Sequence, residues 1–131
     1  MKTTPLFVRQ GDVLIVRVHA LPATITPRPT DAGRVVLAYG EVTGHLHQVV
    51  GKHVIHYDAP DAVTAAKLLL ADAGLTVEVG DANAPSFLTV EEETATVQHD
   101  EHAAIPLAPG RYIVLRQTEW SDALEPIQVA D

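Results

Sequence analysis

The sequence predicts a mainly β protein, a small antiparallel barrel or sandwich with one short helix. Three observations carry that prediction. Short β-branched runs recur between turn residues, a single Ala- and Leu-rich stretch has helical composition, and neither βαβ alternation nor a glycine-rich phosphate loop is present. A chain of 131 residues supports one core and is short for two, so a single domain over 1–131 is expected.

Val13 to Val18 (VLIVRV) follows Gly11-Asp12 and reads as a buried strand that opens the fold, because it is short and β-branched. Leu21 to Gly33 holds three prolines and a glycine, which excludes a helix or a central strand and predicts an ordered loop. Arg34 to Tyr39 reads as the next strand. Glu41 to Val50 and His53 to Asp58 then read as a β-hairpin turning at Gly51-Lys52, which would oppose Val50 with His53, Gln48 with Ile55, His47 with His56 and His45 with Asp58. Asp61 to Ala73 predicts the helix, with an acidic start and Gly74 in the C′ position. Leu75 to Val79 alternates as a strand, and Phe87 to Val97 as one or two strands. Ile105 to Leu107 and Arg111 to Gln117, joined through Pro109-Gly110, carry the signal of a hairpin with a type II turn, and Pro106 assigns its strand to an edge or a bulge. The tail from Thr118 ends in Ile127-Gln-Val129, read as a docking segment or a last short strand.

Charge and composition exclude several functions. Nine Lys and Arg against seventeen Asp and Glu give a net charge of −8, so nucleic acid and anionic membrane surfaces are not expected partners. The absence of cysteine excludes a disulfide framework, a thiol nucleophile and sulfur-ligated metal, which leaves nitrogen and oxygen donors. The N-terminal MKTTPLFVRQGD has no apolar signal-peptide core and apolar runs are short, so a cytoplasmic chain without a membrane span is expected. No nucleotide cofactor is expected.

Seven histidines stand out against this background, six of them in two stretches. On a strand His45 and His47 share a face with Cα atoms about 6.5–7 Å apart, a spacing from which two imidazoles reach one cation. The hairpin register would add His56 opposite His47. His99 and His102 point to opposite sides of a regular strand and converge only in a turn or bulge, where Asp100 and Glu101 offer oxygen ligands or acceptors that orient a ring. The candidate metal ligands are therefore His45, His47, His56, His99 and His102, for a divalent transition metal such as Zn, Fe, Mn, Ni or Cu. His19 and His53 read as surface residues. Against the metal reading stands a plain one, in which polar residues alternating with Val42, Leu46 and Val50 are the solvated side of a half-exposed strand. Arg111, Arg116, Glu119 and Trp120 read as an ion-paired sheet surface or an interface.

GEVTGHLH, Gly40 to His47, resembles the first motif of the cupins, a glycine-led His pair on a strand of a small β protein. That resemblance implies a metal role for His45 and His47 and no particular reaction. The chain departs from the cupin pattern in two places: Val49 to Lys52 stand where the family has a glutamate, and Pro109-Gly110 follows His102 instead of preceding a metal histidine. GEVTGHLH together with HDEHAAIPLAPGRYIVLRQTEW also resembles small bacterial or phage β proteins.

Three functions of different classes follow. The first is a non-enzymatic module that self-assembles into a homo-oligomer or docks on a larger protein assembly through its edges and the Leu21 to Gly33 loop, with a His-rich metal site. The second is a cupin-like metal-dependent enzyme using His45 and His47 with His56, His99 or His102; no complete catalytic set is identifiable from spacing. The third is a pH-responsive protein, since protonating all seven histidines would take the charge from −8 to −1 (−8 + 7).

Overall fold

The computed structural model describes residues 7–39, 46–75, 78–116 and 128–130. Its elements are β1 (Phe7–Gln10), β2 (Val13–Val18), β3 (Thr26–Pro27), β4 (Val35–Tyr39), β5 (Leu46–Val50), β6 (Val54–Asp58), α1 (Ala62–Asp72), a single 3₁₀ turn (Asp81–Asn83), β7 (Ser86–Val90), β8 (Ala95–His99), β9 (His102–Leu107), β10 (Gly110–Arg116) and β11 (Gln128–Ala130). They form a sandwich of two sheets, one ordered β11-β1-β2-β10-β7-β6-β3 and one ordered β4-β5-β8-β9, antiparallel throughout except where β11 runs parallel to β1.

Strand β2 explains the layering. Its apolar run is nearly continuous because both of its faces are covered. Val13 and Ile15 face the four-stranded sheet, packing with Val49, Leu88, Val97, Ile105 and Val114. Leu14, Val16 and Val18 face the other way, packing with Ala66 and Leu70 of α1 and with Phe87, Ile113 and Leu115. The helix is set by its ends. The Asp61 carboxylate accepts from Thr64 N–H at 3.4 Å, and Gly74, at φ 83°, donates to Ala71 O while Leu75 donates to Leu70 O, a Schellman closure.

Several expectations are met and several are corrected. The Phe87 to Val97 stretch is two strands, β7 and β8, and Pro106 lies on the edge strand β9 beside a register shift between Val97 and His99. The Leu21 to Gly33 loop contributes the two-residue edge strand β3. Leu75, Glu78 and Val79 lie outside any strand, with Val79 buried against the helix layer. Both predicted hairpins are overturned. β5 pairs with β4 and β8 while β6 pairs with β7 and β3, and β9 pairs with β8 while β10 pairs with β2 and β7. At each turn the chain changes sheets. Gly51 permits the first crossing, because a Cβ there would lie 2.8 Å from Val54 Cγ2 and 2.9 Å from Ala95 Cβ. No helix among the described residues is long and apolar enough to cross a membrane.

Candidate metal centre

β1 and β2 are joined by the two-residue turn Gly11-Asp12, with Gln10 opposite Val13. Glycine is favoured at the first position, where φ is +58°, and a Cβ would lie 2.9 Å from His102 Nε2 and 3.3 Å from His47 Cε1. This turn of the larger sheet therefore lies directly against histidines of the smaller one. His47 points into the inter-sheet space from β5 and is 4% exposed. His99 and His102 face each other across the β8–β9 turn, where the register shift lets two residues three apart converge. The ring centroids lie 4.3 Å (His47 to His99), 4.6 Å (His99 to His102) and 5.9 Å (His47 to His102) apart.

The hydrogen bonds determine which ring nitrogen of His47 carries its proton. Gln10 is 1% exposed and donates Nε2–H to Val97 O (3.2 Å) and Ala103 O (2.9 Å), which fixes its amide orientation and turns Oε1 towards His47 Nδ1 at 2.8 Å. His47 donates from Nδ1, so the lone pair of the neutral ring sits on Nε2. That nitrogen faces Asp12 Oδ1 at 3.5 Å. Burial first, then neighbouring His99, pushes the His47 imidazole down to about 4 against the pull of Asp12, so the ring is neutral near pH 7. A nitrogen lone pair and a carboxylate oxygen thus face each other without a proton between them. Arg116 holds the far oxygen of Asp12, with Nη2 at 2.7 Å and Nε at 3.2 Å from Oδ2, and leaves Oδ1 turned to the histidine. His102 Nδ1 is buried with no hydrogen-bond partner. His99 Nδ1 accepts from Glu101 N–H at 3.0 Å, so its neutral ring carries the proton on Nε2.

Two ligand atoms bound at roughly 2.0–2.2 Å to one tetrahedral cation stand about 3.3–3.6 Å apart. The His47–Asp12 separation of 3.5 Å fits that pair. Among the described residues no group of three or more His, Asp or Glu side chains is already arranged to hold a metal ion; the His47 and His102 rings stack, and the His99 ring is tilted against both. Bringing His102 and His99 onto a common centre requires their rings to turn.

The other predicted ligands fall elsewhere. His45 lies outside the described residues, as do Glu119 and Trp120. His56 is not brought to His47, because β5 and β6 belong to different sheets; its Nε2 lies 2.7 Å from Ser86 Oγ on β7. His19 is exposed, and His53 Nε2 lies on the surface 3.0 Å from Glu92 Oε2. Sequence reasoning missed Gln10, Asp12 and the role of Arg116. The available signal was a Gln and an Asp flanking a turn glycine, which by itself indicates only a hairpin.

Comparison with curated proteins and with solved structures found no match. All six side chains of the cluster, from Gln10 to Arg116, fall within residues 9–117, which match the family model described as a domain of unknown function (DUF8820), and the chain belongs to that family.

Proposed function

We propose that this chain is a divalent-metal-binding β-sandwich module in which His47 and Asp12 hold the ion and His102 and His99 join them once their rings turn. The observation that supports it is the facing pair of acceptors, neutral His47 Nε2 and Asp12 Oδ1, at a separation suited to two ligands of one cation. Gln10 acts behind His47 as the acceptor that holds the ligating tautomer, and Arg116 acts behind Asp12. Three nitrogens and one oxygen without sulfur suit Zn²⁺, Fe²⁺, Mn²⁺, Ni²⁺ or Cu²⁺. Four protein donors fill a tetrahedral shell, the pattern of a structural centre in a binding module.

Untagged protein stripped with chelator is titrated with Co²⁺, followed by its visible absorption, and then with competing Zn²⁺. One equivalent is expected to bind. His47→Ala and His102→Ala are expected to weaken it by more than the about 10- to 100-fold that a supporting residue is worth. Absence of saturable binding, or unchanged affinity in a folded H47A/H102A double variant, overturns the reading.

A further inference from the structure

The second cluster of polar groups lies at the open edge of the sandwich, where β4 of one sheet faces β6 of the other. A cavity of about 360 Å³ sits there, within the size range of small-molecule sites. Its walls are Val35 and Val36 from β4, Val54 and Ile55 from β6, and Pro29 from the preceding loop. His56 forms part of the lining and is 4% exposed, with burial and then Arg28 holding its ring down at about 4, so it adds no charge to an apolar interior near pH 7.

The rim carries charges of both signs in an open arrangement. Arg28 donates to Asp58 Oδ1 through Nε alone at 2.5 Å, and among the described residues its two terminal nitrogens make no hydrogen bond. Tyr39 donates to Asp31 Oδ2 at 2.5 Å, and Arg34 approaches the same oxygen at 3.5 Å; among the described residues Asp31 Oδ1 and Asp58 Oδ2 accept no hydrogen bond. Asp31 is held by a strained turn. Asp31 and Arg34 exchange two backbone hydrogen bonds of 2.9 Å across Ala32 at φ 52° and Gly33 at φ 81°. A left-handed alanine is a conformation the surroundings must enforce, and it directly follows Asp31 of the cavity lining.

We propose that this cavity binds a small zwitterion with an apolar body, of the class of free apolar α-amino acids. The free fork of Arg28 takes the carboxylate in bidentate fashion, the open oxygens of Asp31 and Asp58 take the ammonium, and the side chain enters between Val36, Val54 and Ile55. Neither a lone anion nor a lone cation uses both halves of the rim. The proposal is independent of the metal centre, since none of these residues belongs to it.

The test is isothermal titration of the chelator-treated full chain with L-leucine, 4-methylpentanoate, which lacks the ammonium, 3-methylbutylamine, which lacks the carboxylate, and glycine, which lacks the apolar body. Saturable one-site binding of L-leucine is expected, weakened about 10- to 100-fold for each analogue and for Arg28→Met, as for loss of a charged hydrogen bond. Val36→Trp, which fills the cavity, is expected to abolish it while far-UV circular dichroism stays unchanged. No saturable binding of L-leucine at millimolar concentration, equal binding of either singly charged analogue, or full binding by folded V36W overturns the proposal.

Discussion

Replacing Gly11 separates the backbone requirement of the β1–β2 turn from its role in seating the histidines. Its φ of +58° is left-handed, where alanine costs about 1–2 kcal/mol and asparagine costs less. Independently, any Cβ at this position meets His102 Nε2 at 2.9 Å and His47 Cε1 at 3.3 Å. The closer contact is with the end of a rotatable ring, so the relaxed response is for His102 to turn away rather than for the sheets to part. Gly11→Ala should therefore lower the stability of chelator-treated protein by about 1–2 kcal/mol, a fall in Tm of roughly 4–8 °C for a domain of this size. Gly11→Asn should keep most of that stability. Both variants should lose Co²⁺ affinity by about 10- to 100-fold, because both carry the Cβ that displaces His102. Urea unfolding with chelator reads the first effect and metal titration reads the second. Parental metal affinity in Gly11→Asn would refute the argument that His102 is seated against a bare Cα, and parental stability in Gly11→Ala would refute the backbone argument.

Two further perturbations address buried polar groups. Gln10→Leu leaves His47 Nδ1–H and Val97 O without that partner in a buried setting, and Ala103 O in a part-buried one, and about 2–4 kcal/mol of stability should be lost in urea unfolding; a loss below about 1 kcal/mol contradicts this network. His56 titrates near 4 when folded and near 6.5 in its ordinary state, so between these pH values the unfolded chain binds more protons. Its contribution is intact above pH 6.5, declines as the pH falls towards 4, and amounts to about 3 kcal/mol at most. His56→Gln, which can still bond Ser86, should flatten that acid loss measurably, and parallel pH profiles of the two proteins would show that His56 is not buried as a neutral ring.

Legibility of the fold followed the range of the interaction that determines each feature. β2, β10 and α1 are readable because their signals are local: apolar runs covered on both faces, and a helix closed by Asp61 and Gly74. The two hairpins were misread for one reason. Gly51-Lys52 and Pro109-Gly110 do stand where one strand ends and the next begins, but Gly110 lacks the positive φ of a type II turn and already belongs to β10, and turn chemistry does not name the strand that follows as partner. Which neighbour β6 and β10 take depends on strands far along the chain. β10 is held between β2 and β7, and Gly110 passes so close to Arg17 that a Cβ would stand 2.9 Å from its guanidinium carbon. β1 was missed because four residues, Phe7 to Gln10, carry too little alternation to register, and its pairing with β2 is what brings Gln10 and Asp12 into play.

The candidate centre shows the same division with a functional consequence. The HxH on β5 and the HDEH turn were visible as histidine-rich stretches, yet His47 reaches His99 through the β5–β8 pairing rather than through the hairpin that would have supplied His56. Gln10 and His47 are 37 residues apart, and Gln10 and Ala103 are 93 apart, so no spacing rule links them. The donors consequently come from both layers: Asp12 belongs to the turn of the seven-stranded sheet, and the histidines belong to the four-stranded one. An ion held between them would tie the sheets together at the end where the inter-sheet core gives way to polar groups, and binding there stabilises the folded chain by RT ln(1 + [M]/Kd). The acidic charge of −8 acts in the same direction, by raising the local concentration of cations around a site whose His47 is held neutral near pH 7 by burial. A sandwich linked by metal in this way would need no disulfide to fasten its layers, so the proposed centre would give the cysteine-free composition a physical counterpart.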